Sequence, residues 1–448
     1  VKKYFLLLLF AAPVLLDAAT VEVNTVEGFR AAAQKLSAGD TLLLADGHYD
    51  LGKIFVTAQG SAEKPIAIAA KKLDQATITG ASSFVFQQAA FVTLKGFNFE
   101  TDDTGPVVIT GSHHIRITRC VLRVHESSRE PGALIRWILI DGARAQGSTN
   151  KAVNSHHNRI DHNLLEGKRV CGQGVAIADV TKPVYASSQY DRIDHNHFRN
   201  FGPRIPNGME PIRAGLSELS VSSGYTLIED NLFENCDGDS EVISMKNSDS
   251  IVRSNTVVNC QSGIYLRHGD RNEVYGNVFF GQNKPGSVGV RMWGNDHNIH
   301  DNYFQDLDEA GIEVQNGDVD YPAQVDPARD KAILVLHVRP QRISIQTNTL
   351  VNCTHPFLLG GTEPNWDFKL PAQDVRIEGN VVLGGRNPLV TVFHEVPSVV
   401  WKANTMWAGA QTKLGIDAKE AQIRLAEPTV KTQRFLTGGD VGPLAGHD

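Results

Sequence analysis

Eight asparagines spaced along the chain constrain its fold more than any other feature. The segments IDHNLL, IDHNHF, IEDNLF, VRSNTV, VYGNVF, IHDNYF, IQTNTL and IEGNVV put them at 163, 196, 231, 255, 277, 302, 348 and 380. Each has Ile or Val three residues before it and an apolar residue two after it. Successive spacings of 33, 35, 24, 22, 25, 46 and 32 read as a basic turn of 22 to 25 residues with insertions. Fainter copies flank the run, at ITRCVL, with Cys120 in the asparagine place, and at WKANTM, residues 401–406.

Short β-branched strands, asparagine at a fixed corner and a period in the low twenties describe a right-handed, single-stranded parallel β-helix. Asparagine suits the corner because it tolerates left-handed backbone angles and because its amide can bond the backbone or the asparagine above it. A leucine-rich repeat shares the short period, but no LxxLxL frame accompanies these asparagines. A β-propeller needs longer repeats. The chain's 448 residues therefore do not imply several domains, since the core of a repeat fold grows along one axis.

The ends of such a rod need covering. Thr25 is placed to N-cap a helix through roughly Leu36 with Val26, Phe29, Ala33 and Leu36 on one face, and Gly39-Asp40 turns into a strand at Thr41 to Leu44. Before it, VKKYFLLLLFAAPVLLDAAT has the shape of a secretory signal peptide over residues 1–19, with an apolar run too short for a membrane span. The expectation is a periplasmic or secreted protein without a membrane anchor, residues 20–448 forming one β-helical catalytic domain. Of five cysteines, Cys236, Cys260 and Cys353 each follow an asparagine by five residues. Stacked burial as thiols is favoured for them over a Cys236–Cys260 disulfide. A net charge of −7 argues against a nucleic-acid binder.

A scaffold does not specify a function, so chemistry must come from side chains that break the repeat. ISMK (243–246), IYLR (264–267), VRMW (290–293) and IEVQ (312–315) align as strands of successive turns. Alternation then puts Ser244 and Lys246, Tyr265 and Arg267, Arg291 and Trp293, and Glu313 and Gln315 on one outer face. A cationic, aromatic-lined stripe along a stiff rod suits a long polyanion, whose carboxylates pair with guanidinium and ammonium groups. Asn207, Glu210, Asp239 and Glu241 add oxygen donors beside it, a hard-cation set suggesting calcium; no His/Cys group has zinc-finger spacing.

NGMEPIRAG (207–215), the acidic pair in DSEVISMK, GIYLRHG (263–269) and DVGP (440–443) resemble the signature blocks of polysaccharide lyase family six, the β-helical alginate lyases and chondroitinase B. The resemblance implies calcium-assisted β-elimination on an anionic uronate polysaccharide. It implies Lys246 as base and Arg267 as acid, and His268 and Arg291 as substrate contacts; Tyr265, Trp293 and Glu313 join these from the outer column. Calcium falls on Asn207, Asp239 and Glu241, with Asp239 where the family usually has glutamate. Alginate is the expected substrate, dermatan sulfate the alternative. A β-helical hydrolase needs paired carboxylates in acid and base or nucleophile roles, and the polygalacturonase-like trio of aspartates is not evident, Asp102-Asp103 lying outside the central repeats; a non-catalytic polysaccharide-binding β-helix has no need of a lysine beside a cation site.

Overall fold

The computed structural model describes residues 18–446, apart from 128–133, 145–151, 179–185, 323, 362–367, 410–412 and 432. Residues 1–17 of the expected signal peptide, 1–19, lie outside the described residues. Among them, no helix is long and apolar enough to cross a membrane.

The chain winds as a parallel β-helix of three sheets. A first sheet of 14 strands starts at Thr20–Val23 and ends at Val399–Lys402. A second, of 12 strands, runs from Lys53–Val56 to Val390–Val392, and a third, of 14, from Gly47–Tyr49 to Arg424–Leu425. Each coil contributes one short strand to each sheet, and neighbours pair in parallel without a residue of slip over most of the rod.

The repeat seen in the sequence is this coil. The Ile or Val three before each asparagine points inward from the first sheet, as in the column Ile160, Ile193, Ile228, Val252, Val274 and Ile299, all fully buried. The apolar residue two after it points inward from the third sheet, where Phe198 stacks on Phe233 at 5.0 Å and Phe279 on Phe304 at 4.8 Å. Each such side chain removed from water contributes roughly 1.5–3 kcal/mol, so register is enforced at every level of the rod.

The asparagines stand between these two columns and form one continuous ladder. Asn163 donates to Asn196, and the chain of amide contacts runs on through 231, 255, 277, 302, 348 and 380 to Asn404 at 2.9–3.1 Å. Cys120 hands its backbone N–H to Asn163, as expected for a residue in the asparagine place. One expectation is corrected. The left-handed residue is not the asparagine but the one before it, from His162 to Ala403, with φ between 52° and 66°. The asparagine is spared that turn because its side chain must point inward to bond the next coil.

Thr25 caps a helix at Val26–Ala33 by accepting from the Gly28 N–H, and Phe29 meets Phe84 edge-on at 6.0 Å, so the helix covers the end of the core. It ends a turn sooner than Leu36. Cys236, Cys260 and Cys353 are buried free thiols, and Cys236 N–H points at the Cys260 sulfur at 3.2 Å. After the last coil the chain returns along the third sheet: the Leu436 N–H donates to Thr256, the Gly442 N–H to the His195 carbonyl, and Arg119 holds the Pro443 carbonyl at 2.7 Å. The DVGP segment thereby ties the C-terminal end of the chain back to earlier coils.

Candidate active site

The second sheet carries the candidate site. Its register pairs Arg213 with Ser244, Ser244 with Tyr265, Tyr265 with Arg291 and Arg291 with Glu313, which is the outward column expected from the sequence with Arg213 added above it. Met245, Leu266, Met292 and Val314 alternate inward and are fully buried. One residue further on, Lys246 and Arg267 leave the ends of their strands on adjacent coils, a strand spacing of about 4.8 Å apart.

Beside them, three carboxylates are out of water. Asp239, Glu241 and Glu210 are each at most 2% exposed. Asp239 accepts from the backbone N–H groups of Gly208 and Met209 at 2.6 and 3.3 Å. Burial and the neighbouring Glu241 and Glu210 charges nevertheless push its carboxyl up to about 7. Glu241 accepts from Arg267 Nη1 at 2.8 Å through one oxygen, and its other oxygen is buried with no hydrogen-bond partner among the described residues. Asn207 is exposed at the rim, on the turn that brings the Gly208 amide to Asp239.

Lys246 is half-buried, and its backbone N–H donates to the Ala214 carbonyl at 2.7 Å. Burial lowers its pKa, with Arg267 and Arg213 acting in the same direction against the pull of Glu241 and Glu210. Arg213 is buried, and its Nε and Nη2 find no partner among the described residues. His268 is held neutral, far below its ordinary pKa, by burial and by the His337, Lys246 and Arg267 charges. Its ring stacks on His337 at 5.3 Å.

The expectation of an open aromatic stripe is corrected. Tyr265, Trp293, Glu313 and Gln315 hold their places in the column but are at most 5% exposed. The long insertion between Asn302 and Asn348 folds back over them. Trp293 gives its indole N–H to the Asn316 carbonyl at 3.0 Å and packs against His337 and Phe368. The insertion reaches upstream as far as the turn Ser217–Leu219, where Tyr321 meets Ser220 and Lys331 pairs with Glu218. Arg291 lies over the Tyr265 ring at 4.7 Å and bonds Glu313 at 2.6 Å. Glu313, Arg291 and Tyr265 thus brace one another beneath the loops, while Lys246, Arg267 and His268 gather with the carboxylates and Arg213. Glu210 is one of the oxygen donors read from the sequence; Arg213 was legible in principle, by extending the column one coil upstream into NGMEPIR. The role of His337 had no signal, because it arrives from the insertion.

The family model described as Chondroitinase B matches residues 23–382. The chain belongs to that family, polysaccharide lyase family six. Among solved structures, this family-six chain is similar to a mannuronic acid specific polysaccharide family 6 lyase from human gut microbiota. They share 25% identity over 88% of this chain and 87% of that one, with a TM-score of 0.70. It is 26% identical to the family alginate lyase AlyGC, with a TM-score of 0.75, covering 92% of this chain but only 54% of that one, so it spans about half of AlyGC. The family lyase Pedsa3628 from Pseudopedobacter saltans, at 20% identity and a TM-score of 0.76 over 94% and 98% of the two chains, shares the fold. No curated protein matches.

Proposed function

We propose that this chain is a secreted or periplasmic lyase that cleaves alginate by β-elimination, with Lys246 taking the C5 proton of a uronate and Arg267 standing beside the leaving oxygen. The observation that carries the reading is a lysine with a lowered pKa, one coil from an arginine fixed by a buried glutamate, against a cluster of buried carboxylates.

A proton alpha to a carboxylate is a poor acid, because its removal puts a second negative charge beside the first. A bound Ca²⁺ supplies the positive charge that neutralises the substrate carboxylate and its enolate-like transition state. Asp239 and Glu241, with Glu210 behind them and Asn207 at the rim, would hold it. The fit rests on the unpartnered Glu241 oxygen and on the Asp239 carboxyl pushed up to about 7, an excess of buried negative charge that a divalent cation relieves. The chain's own residues do the rest. Lys246 accepts a proton only as the neutral amine, and its burial brings that form toward working pH. Arg267, ion-paired to Glu241, stays a cation and stabilises charge on the leaving oxygen, to which water or a shared proton completes the transfer. Arg213, with two nitrogens unsatisfied, and neutral His268 orient the incoming uronate; Arg291 is braced below, with Tyr265, Trp293 and Glu313 as support for the face.

The description of the matching family model favours a second reading, a chondroitinase B-type lyase acting on dermatan sulfate. Alginate is preferred because the similar structures at 25% identity or more include lyases described for mannuronic acid and for alginate. The test is ultraviolet absorbance of the purified protein mixed with alginate, its mannuronate-rich and guluronate-rich blocks, and dermatan sulfate, each with and without a calcium chelator. A chelator-sensitive rise on alginate, from the C4–C5 double bond, is expected. A rise on dermatan sulfate alone would replace the substrate. Reducing ends without absorbance would replace elimination by hydrolysis.

A further inference from the structure

Far up the rod, on the corner between the second and first sheets, two adjacent histidine pairs lie on successive coils. His113 and His114 belong to one coil and His156 and His157 to the next, with His113 and His156 in register. His114 and His157 both adopt left-handed φ, 55° and 54°, which turns each second imidazole toward its predecessor. In both pairs the two Nδ1 atoms stand 2.9 Å apart. Between coils, His113 stacks on His156 at 4.8 Å and 2°, and His114 on His157 at 5.0 Å and 8°. One ligating atom from each of His113, His114 and His156 lies within 4.8 Å of the other two.

We propose that His113, His114 and His156 form a binding site for a late first-row divalent cation, Cu²⁺ foremost, that staples two neighbouring coils. Imidazole nitrogen without a carboxylate in the group selects copper, nickel or zinc over calcium and magnesium. Metal–nitrogen bonds of about 2.0–2.1 Å at a right angle put the two nitrogens about 2.9 Å apart, whereas tetrahedral ligation puts them about 3.4 Å apart. The 2.9 Å separation, which is also that of an N–H···N hydrogen bond, fits the right angle of tetragonal Cu²⁺ better than a tetrahedral ion. The third nitrogen closes in by side-chain rotation, which is open to His114 on the exposed corner and to the half-buried His113 and His156. All three imidazoles are in the ligand form: burial and the neighbouring histidines lower His113 and His114 and bring His156 down to about 4. The site lies outside the Lys246 and Arg267 cluster and uses none of its residues.

Tag-free protein, its oxygen site saturated with calcium, is titrated with Cu²⁺ by calorimetry, and the bound ion is read by electron paramagnetic resonance. Expected are one equivalent per chain, hyperfine structure from several nitrogens, and a higher melting midpoint. The His113→Ala/His156→Ala variant should bind more weakly by well over the roughly 100-fold that losing a supporting residue costs. It should also lose the rise in midpoint, with elimination activity unchanged. His114→Ala, on an exposed ring, stands in if the double variant does not fold, and must weaken binding likewise. Tight binding retained by these variants, or no nitrogen-ligated ion in the unaltered protein, would overturn the proposal and leave the pairs held by N–H···N hydrogen bonds alone.

Discussion

The asparagine corner and the candidate active face are both columns of side chains stacked at one strand spacing, yet they are built on opposite rules. Along the corner every residue is the same, and each amide satisfies the next, so that no buried donor or acceptor of the ladder is stranded. Along the face each coil differs: arginine, serine, tyrosine, arginine and glutamate follow one another, with lysine and a second arginine beyond. There Glu241 keeps an unpartnered oxygen, Arg213 two unpartnered nitrogens, and Asp239 and Lys246 have their pKa values moved toward neutrality. Repetition gives stability, because one solution is copied; the broken repeat leaves polar groups poised for a ligand to satisfy.

That contrast can be broken most sharply at Lys246. Lys246→Ala should cut the elimination rate by about 10²- to 10⁴-fold, the range for loss of a general base, while the melting midpoint holds or rises because a partly buried ammonium group is gone. Substantial remaining activity would remove the base assignment. At the corner the reverse is expected. Asn277→Ala strands the Asn255 backbone and side-chain donors that Asn277 accepts, costing about 2–5 kcal/mol by chemical denaturation. The activity of the folded fraction should be little altered. The smallest effect sharpens the rule from inside the core. A second buried polar column, less uniform than the first, runs through Asn158 and Asp191. Burial pushes Asp191 from 3.8 up to about 6. A raised folded-state pKa gives stability that is present below about 4 and lost as pH rises through about 6. Asp191→Asn should therefore stabilise the protein by up to about 3 kcal/mol at pH 8 and by little at pH 4, read from denaturation at the two pH values.

Much of this molecule is local and periodic, which is why its sequence speaks clearly. Ile three before and an apolar residue two after each asparagine are in contact with their own copies on the next coil, so the spacing alone reports the register. The alignment of ISMK, IYLR, VRMW and IEVQ holds for the same reason. The left-handed turn falls one residue before the asparagine because asparagine has two uses, tolerance of that backbone and a ladder-forming amide, and only the second operates here. Tyr265 and Trp293 are buried although they leave the outer face, because alternation tells which way a side chain leaves the sheet and not what lies over it.

The sequence by itself determined the coil: its period, its inward columns, its asparagine ladder, its capping helix and the family blocks that mark Lys246 and Arg267. Only the tertiary structure decided what surrounds them. The burial of three carboxylates together, the seating of His268 under His337 and the meeting of two histidine pairs 43 residues apart depend on insertions of irregular length and on which coils they span. Such contacts repeat nowhere in the chain, so no period records them, and only the folded backbone brings their partners within reach.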